Sequence, residues 1–295
     1  MSQRRVFPAV ALLVASSAAL GLRLPLTAQV VFAAAAVLLF GVPHGALDVL
    51  HARDSKRLSR GRDWAVFLAT YVATALAVVC GWQLAPSASL VGLLLISAAH
   101  FSSDLERGSP LALRVAHGAA PVCLPALLHA QELGDLFAAL APAATARWLA
   151  SALEFVSAPL LLLSIVSSIL CARRHRGAVL EVAATAAVCW VAPPLMGFAV
   201  YFCVLHSWRH VDRTRALYAL TGADVARAAA MPTAATAAAA AAAWALVDWD
   251  SFEAGVLRVV FVGLAALTVP HMLLIERVRA RGWKPRGVLA GGYWC

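Results

Sequence analysis

Long apolar runs, separated by short polar or basic stretches, follow one another along the chain. Most are close to the roughly 20 residues that an α-helix needs to cross the hydrocarbon core of a bilayer. The runs are continuous and rich in Ala, Leu and Val, whereas strands of a membrane barrel alternate apolar and polar residues. The pattern predicts an all-α fold, a polytopic transmembrane helical bundle of eight to ten helices, with residues 1–295 in a single integral membrane domain.

Eight membrane spans can be placed directly, at residues 6–22, 27–50, 64–84, 89–105, 111–130, 148–171, 224–247 and 254–276. The region 178–208 is ambiguous, because Pro193 and Pro194 interrupt it and two consecutive prolines usually end a helix. As one kinked span this region gives nine crossings, and as two short spans it gives ten. Ten crossings place both termini and the large basic clusters on one side of the membrane, which the positive-inside rule favours.

Composition also favours a membrane protein. Of the 295 residues, 62% are hydrophobic and 13% charged, whereas soluble domains carry about 25% charged residues. The net charge of +9 comes largely from short Arg/Lys clusters between the apolar runs, such as the one from Arg53 to Arg62. We therefore expect membrane lipid with anionic headgroups as a partner, and no nucleic acid. The expected location is the bacterial inner (plasma) membrane, with both termini cytoplasmic; the oligomeric state stays open.

Histidines recur at one end of several predicted spans, where ionisable side chains are costly and usually functional. With ten crossings, the even-numbered spans all end on the cytoplasmic side. Near these ends lie His44 in the second span, His100 in the fourth, His206 and His210 in the eighth, and His271 in the tenth. With nine crossings, His206 and His210 would lie on the opposite side from His44 and His100. The convergence of the histidines therefore favours ten crossings.

The spacing of these residues indicates a metal site. Three pairs are four residues apart and would share a helix face: His44 with Asp48, His100 with Asp104, and His206 with His210. Two histidines at this spacing can bind one metal ion. A ligand histidine usually donates its other ring N–H to a carboxylate, so Asp48 and Asp104 are predicted to orient the ligands. Imidazole suits Zn, Cu, Fe or Ni, and the spacing does not choose among them.

Four motifs carry a resemblance to a known family: PHGALD at 43–48, AHFSSD at 99–104, HSWRH at 206–210 and PHMLLIE at 270–276. In this order they resemble the Brp/Blh-type β-carotene 15,15′-dioxygenases, carotenoid-cleaving membrane enzymes of bacteria and archaea. The resemblance implies oxidative cleavage of the central double bond of β-carotene by O₂, giving two retinal molecules. It further implies Fe(II) bound by His44, His100, His206 and His210. Asp48 and Asp104 would be in supporting positions around the ligands or would be alternative ligands, and His271 would be in a supporting position.

A long apolar polyene would need a tunnel between helices that passes the metal. Side chains next to the motifs are candidates for its walls: Phe40, Phe101, His117, Tyr201, Phe202 and Trp208. Because the substrate has no charged group, its position along the tunnel must depend on shape. The sequence does not indicate how the cleaved bond is selected.

Three other functions remain open from the residues. A membrane desaturase or hydroxylase also carries HxxxH boxes, but it normally includes adjacent histidines, which this chain lacks. A haem-binding protein would use histidines on facing helices. A transporter would use them in a proton relay, and the interruption at Pro193 and Pro194 would suit its binding site.

Overall fold

In the computed structural model, residues 3–55, 58, 60–105 and 108–280 are described, and their regular elements are all helical. The helices are α1 (Gln3–Ala19), α2 (Leu26–Asp54), α3 (Gly61–Leu84), α4 (Pro86–Phe101), α5a (Leu111–Cys123), α5b (Ala126–Ala138), α6 (Ala143–Cys171), α7 (Arg176–Val191), α8 (194–217), α9 (Gly222–Leu246) and α10 (Phe252–Ala280). Residues 281–295, with most of the C-terminal basic cluster, lie outside the described part. The cytoplasmic location of the C-terminus therefore stays a prediction.

The helices confirm the predicted helical membrane bundle. Five in the described part are long and apolar enough to cross a bilayer, namely α2, α3, α6, α9 and α10. A sixth is reached if α5a and α5b, which are bent by 50° against each other, count as one broken span. Large apolar side chains on the outside, such as Leu95 and Phe155 at 67% and 85% exposure, suit contact with lipid. For the shorter helices, membrane crossing stays a prediction.

The ambiguous region forms two helices that double back on each other. Helix α7 ends at Val191, and Ala192 is extended before Pro194 enters the first turn of α8, where a missing N–H costs nothing. A Cβ on Gly197 would lie 3.2 Å from the carbonyl oxygen of Val188. A single kinked helix could not bring residues 188 and 197 so close, because it would hold them about 13 Å apart. The structure therefore has two helices here, as the ten-span prediction requires.

Two π-helical stretches lie inside the bundle, Val37–Gly41 in α2 and Val200–Ser207 in α8. Such stretches are rare and often occur at functional sites. They pack against each other, and the absence of a side chain on Gly41 makes the contact possible: a Cβ there would lie 2.6 Å from Cε1 of Phe202. The two stretches bring His44 and His206 towards each other from separate parts of the chain.

The largest buried cluster joins α1 to the centre of the bundle. Phe7 and Ala11 of α1 are fully buried and belong to one core with Val188 of α7 and Tyr201 of α8. Helix α5a completes this core through Leu124, just beyond its end. This core includes residues of α8 next to His206, so its packing holds α8 in position.

Gly118 of α5a lets the end of α4 approach closely, and this contact supports His100. A Cβ on Gly118 would lie 2.3 Å from the backbone nitrogen of Ser102 and 2.4 Å from the carbonyl oxygen of Ala98. We expect Gly118→Ala to cost about 1–3 kcal/mol, because the obstructing atoms are backbone. Thermal unfolding in detergent should show a lower Tm than for Gly92→Ala on α4, where a Cβ meets nothing within 4 Å. Equal Tm values for both variants would contradict the close contact.

Candidate metal centre and apolar cavity

Five histidine rings from four helices pack together at one end of the bundle. The ring of His44 lies with its centroid 5.1 Å from that of His206, 5.5 Å from that of His210 and 5.5 Å from that of His271. The ring of His100 lies 4.8 Å from His206 and 5.6 Å from His271, and His210 lies 5.2 Å from His271. The four predicted ligands are thus brought together, with His271 among them. We call these five residues the histidine cluster.

The spacing within the histidine cluster suits imidazoles that share one ion. A metal–nitrogen bond of about 2.1 Å puts a ring centroid roughly 3.2 Å from the metal, so neighbouring rings lie about 4.5 to 5.3 Å apart. In the described part of the chain, however, no three His, Cys, Asp or Glu side chains together form a metal-binding arrangement. The cluster therefore has the donor chemistry and ring spacing of a metal centre, while its nitrogen atoms would have to turn towards a common point.

Hydrogen bonds at Nδ1 orient three of the rings. Nδ1–H of His206 donates to Asp104 at 2.9 Å, and Nδ1–H of His271 donates to Asp48 at 2.8 Å. Nδ1–H of His44 donates to the carbonyl oxygen of Gly41. Within the described part of the chain, the Nε2 atoms of His206 and His271 are buried and have no hydrogen-bond partner. A buried polar atom without a partner is costly, and a metal ion would satisfy both nitrogens, as in sites where Nδ1 is bound by a carboxylate.

The two carboxylates orient histidines other than the predicted ones. We expected Asp48 to support His44 and Asp104 to support His100, one turn away on the same helix. Instead, both act across helices, since α2 has a turn at Leu47 and Asp104 lies beyond the end of α4. His271 was predicted to support the ligands from outside. Its ring instead packs directly against those of His44, His100 and His210.

Further hydrogen bonds hold the carboxylates. The hydroxyl of Tyr201 donates to Asp104 at 2.8 Å and lies 3.3 Å from Nε2 of His117. The hydroxyl of Tyr71 on α3 donates to Asp48 at 3.0 Å. Asp104 therefore accepts hydrogen bonds from two side chains, those of His206 and Tyr201.

A buried ion pair supports the turn that contains Asp104. Arg209, between the two histidines of HSWRH, donates to Glu181 of α7 at 2.6 Å and to the carbonyl oxygen of Asp104 at 2.8 Å. It also donates to the side-chain oxygen of Gln3 at 3.2 Å. The pair thereby ties α1, α7 and α8 to the loop after α4. Sequence reasoning missed it, although Glu181 is the one acidic residue in α7, a helix that is mostly apolar after Arg176.

An apolar cavity of about 130 Å³ adjoins the histidine cluster. His44, His100, His206 and His271 line it, and the remaining wall is mostly Leu, Phe, Val and Pro from α2, α4, α5a, α5b, α8 and α10. Its volume is below the roughly 300–1,000 Å³ of sites that enclose drug-sized ligands. A long ligand would therefore need side chains of the wall to rotate, or would leave part of its length outside.

The predicted wall residues divide into two groups. Phe101 and Phe202 line the cavity, and Phe202 stacks on His206 with ring centroids 5.5 Å apart. The others lie elsewhere: His117 and Tyr201 are fully buried in the hydrogen-bond network, and Phe40 and Trp208 are 63% and 38% exposed. Phe40 was misplaced because the π-helical stretch in α2 changes which face its residues occupy.

Comparison with known proteins identifies the family. A family model described as beta-carotene 15,15′-dioxygenase matches residues 35–278, a range that includes the whole histidine cluster. The chain belongs to the β-carotene 15,15′-dioxygenase family. It is 30% identical over 261 residues to the beta-carotene 15,15′-dioxygenase of uncultured marine bacterium 66A03, covering 83% of this chain and 92% of that protein. No solved structure matches the chain.

Membership of the β-carotene 15,15′-dioxygenase family makes this chain an enzyme and confirms the resemblance inferred from the four motifs. The matched region begins within α2 and ends within α10, so it contains every residue that lines the cavity. The haem-carrier and transporter alternatives are not supported by this membership. The family description names neither a metal nor O₂.

Proposed function

We propose that this enzyme cleaves the central double bond of β-carotene with O₂, giving two molecules of retinal, and that it uses Fe(II) bound by the histidine cluster. One observation carries the proposal: in a member of this family, imidazoles with the spacing of metal ligands line one apolar cavity inside a membrane bundle. The reaction balances without another reactant, because one O₂ supplies one oxygen atom to each carbon of the broken double bond.

The ligands proposed for iron are His44, His100, His206 and His210, and the position of His271 makes it a fifth candidate. A bound Fe(II) would supply an open coordination position where O₂ can react. The protein contributes the orientation of the rings. Because Asp104 and Asp48 accept from Nδ1 of His206 and His271, each ring keeps the tautomer whose Nε2 lone pair is free for a metal.

The cavity walls account for an apolar substrate. Phe198, Phe202 and His206 form a stack along α8, with ring centroids 5.3 and 5.5 Å apart, and all three line the cavity. Flat rings on one side of a narrow cavity suit a flat conjugated chain. The apolar wall would also help to exclude water from the neighbourhood of a bound metal.

A bis-histidine haem is disfavoured by the packing of the rings. Two imidazoles on opposite faces of a haem would have centroids about 6.4 Å apart, with the flat macrocycle between them. In the histidine cluster, the neighbouring rings approach to 4.8–5.6 Å in edge-to-face contacts, which leaves no gap for a macrocycle.

We also propose that the histidine cluster lies towards the cytoplasmic side of the bacterial inner membrane. Arg53 and Arg62 lie beside the end of α2 and the start of α3, and Arg227 lies near the start of α9. These ends adjoin the cluster, since α9 packs through Ala229 against Leu47 of α2. Basic residues concentrate on the cytoplasmic side of membrane proteins.

Expression in a bacterial host that accumulates β-carotene tests the function. We expect the orange colour to bleach and retinal to be the carotenoid product in extracts. The purified enzyme should contain about one iron per chain, whereas a diiron desaturase-like site would contain about two. Persistent colour in iron-replete cells that contain the folded protein in their membranes would contradict the proposal.

A further inference from the structure

Helix α5b, which is bent by 50° against α5a, forms part of the cavity wall away from the histidine cluster. Leu133, Leu136 and Phe137 of α5b and Leu140 just after it line the cavity, and all four are at most 8% exposed. We call these four residues the floor. Trp82 and Arg258 hold this segment in place, because both donate to carbonyl oxygens just after α5b, at Leu140 and Ala139.

Three helices run from the histidine cluster to the floor. Leu90 of α4 packs in one cluster with Leu133, Phe137 and Leu140. Leu195 of α8 packs with Leu136, and Phe261 of α10 packs against both groups. Each helix therefore carries a histidine of the cluster at one end of the cavity and a floor contact at the other.

The distance from histidine to floor contact is nearly the same on all three helices. The separation is ten residues from Leu90 to His100, ten from Phe261 to His271 and eleven from Leu195 to His206. At 1.5 Å per residue, the ten-residue separations on α4 and α10 correspond to about 15 Å along the helix axes. The π-helical stretch in α8 rises less per residue, so its eleven residues cover a similar length. Along these helices, the contacts with the floor therefore lie about 15 Å from the histidine cluster.

That distance matches half of a symmetric carotene. From its central double bond to the far side of its ring, β-carotene measures on the order of 15 Å, given conjugated bonds of about 1.3 to 1.45 Å drawn out in zigzag. One half with its ring would reach the floor when the central double bond lies at the histidines. The other half would then extend beyond the histidine cluster, outside the cavity.

We propose that the floor acts as a stop that selects the bond to be cleaved: the ring of one carotene half rests on α5b, and the depth of the cavity then places the central double bond at the histidine cluster. This inference rests on the proposed function. It assigns Leu133, Leu136, Phe137 and Leu140 as residues that determine which bond is cleaved, although they lie about 15 Å from the histidine cluster. It also explains how a substrate without polar groups is positioned.

Changing the height of the floor should move the cleaved bond. A bulkier side chain, as in Leu133→Trp, would hold the polyene less deeply, and Phe137→Ala would let it slide deeper. Successive double bonds are roughly 2.5 Å apart, which is within the change in side-chain length. Because β-carotene is symmetric, either shift by one double bond yields the same unequal products, a shorter ketone and a longer aldehyde.

The experiment measures the products of β-carotene cleavage by the full-length protein in carotene-accumulating cells and after purification in detergent. For Leu133→Trp and Phe137→Ala, we expect the ratio of unequal products to retinal to rise at least about ten-fold over the unsubstituted protein, a change of about 1.4 kcal/mol in relative barrier. Matched controls are Leu128→Trp, on α5b but 56% exposed, and Phe155→Ala, at 85% exposure. Both controls should give retinal alone.

The outcomes separate the floor from the function. No cleavage by the unsubstituted protein would refute the proposed function. Retinal as the sole product of every active floor variant, at whatever rate, would refute the floor as a stop while leaving the function intact. If Leu133→Trp or Phe137→Ala does not accumulate as folded protein, Leu133→Phe and Phe137→Leu make smaller changes in the same directions. Retinal alone from both would equally overturn the inference.

Discussion

Replacement of His206 with alanine is expected to abolish retinal formation and iron binding while leaving the protein in the membrane. The His206 ring packs against those of His44 and His100, with centroids at 5.1 and 4.8 Å, and it lines the cavity. Loss of an outer hydrogen-bond partner typically weakens a metal site about 10- to 100-fold, so removal of a ligand should exceed that range. Iron content by elemental analysis and retinal by chromatography measure the two effects.

The His206→Ala variant needs a histidine control and a folding control. His175 is suitable, because it lies before the first turn of α7 and outside the cluster, so His175→Ala should keep both iron and activity. Added Fe(II) should raise the Tm of the unsubstituted protein, since a ligand that binds the folded state stabilises it, and should not raise that of His206→Ala. Normal iron content in His206→Ala would remove this residue from the proposed ligands.

Much of the bundle follows from the sequence because a bilayer imposes strong rules. Apolar runs long enough to cross it must be helical, and the order of the helices from α1 to α10 agrees with the predicted spans. The convergence of His44, His100, His206 and His210 also followed, since helices of the same direction end on the same side. The two helices around Pro193 were predicted from that convergence as much as from the prolines.

The partners of the two carboxylates could not be predicted from spacing. Four residues bring side chains onto one face only within a continuous α-helix. The turn at Leu47 interrupts the helix between His44 and Asp48, and α4 ends at Phe101 before Asp104. Each Asp then contacts a histidine far away in sequence, and such contacts depend on how the helices pack.

The residues that support the site also lie far from the motifs in sequence, because helix packing brings them to the site. Tyr71 reaches Asp48 from α3, and Glu181 reaches Arg209 from α7. Neither residue lies in a motif, although a lone acidic residue in an apolar helix is a signal that it has a buried partner. The floor formed by α5b has no local signal, because its Leu and Phe residues resemble those of any apolar helix.

Asp104→Asn is expected to weaken iron binding about 10- to 100-fold without removing a proposed ligand. The carboxylate accepts from both Nδ1–H of His206 and the hydroxyl of Tyr201. Both donors reach Oδ2, and Nδ1 of His206 also lies 3.1 Å from Oδ1. An asparagine NH₂ group in either oxygen position would face the Nδ1–H of His206, and a neutral amide is a weaker acceptor than a carboxylate, so the hydrogen bond that orients His206 would weaken. The turn itself should persist, because Arg209 and Arg213 bind the main-chain carbonyl of residue 104, which asparagine keeps.

If Asp104 only positions a ligand, added iron should restore activity to the Asp104→Asn variant. Added iron should not restore activity when a ligand itself has been removed. At saturating Fe(II), Asp104→Asn should recover most of its retinal formation, whereas His206→Ala should stay inactive at every iron concentration. Asp212→Asn is the matched control, because Asp212 is an exposed aspartate on α8 and its affinity for iron should not change. An unchanged affinity in Asp104→Asn would show that His206 binds metal without this carboxylate. Loss of activity that iron does not restore would instead place Asp104 among the groups that act in the reaction itself.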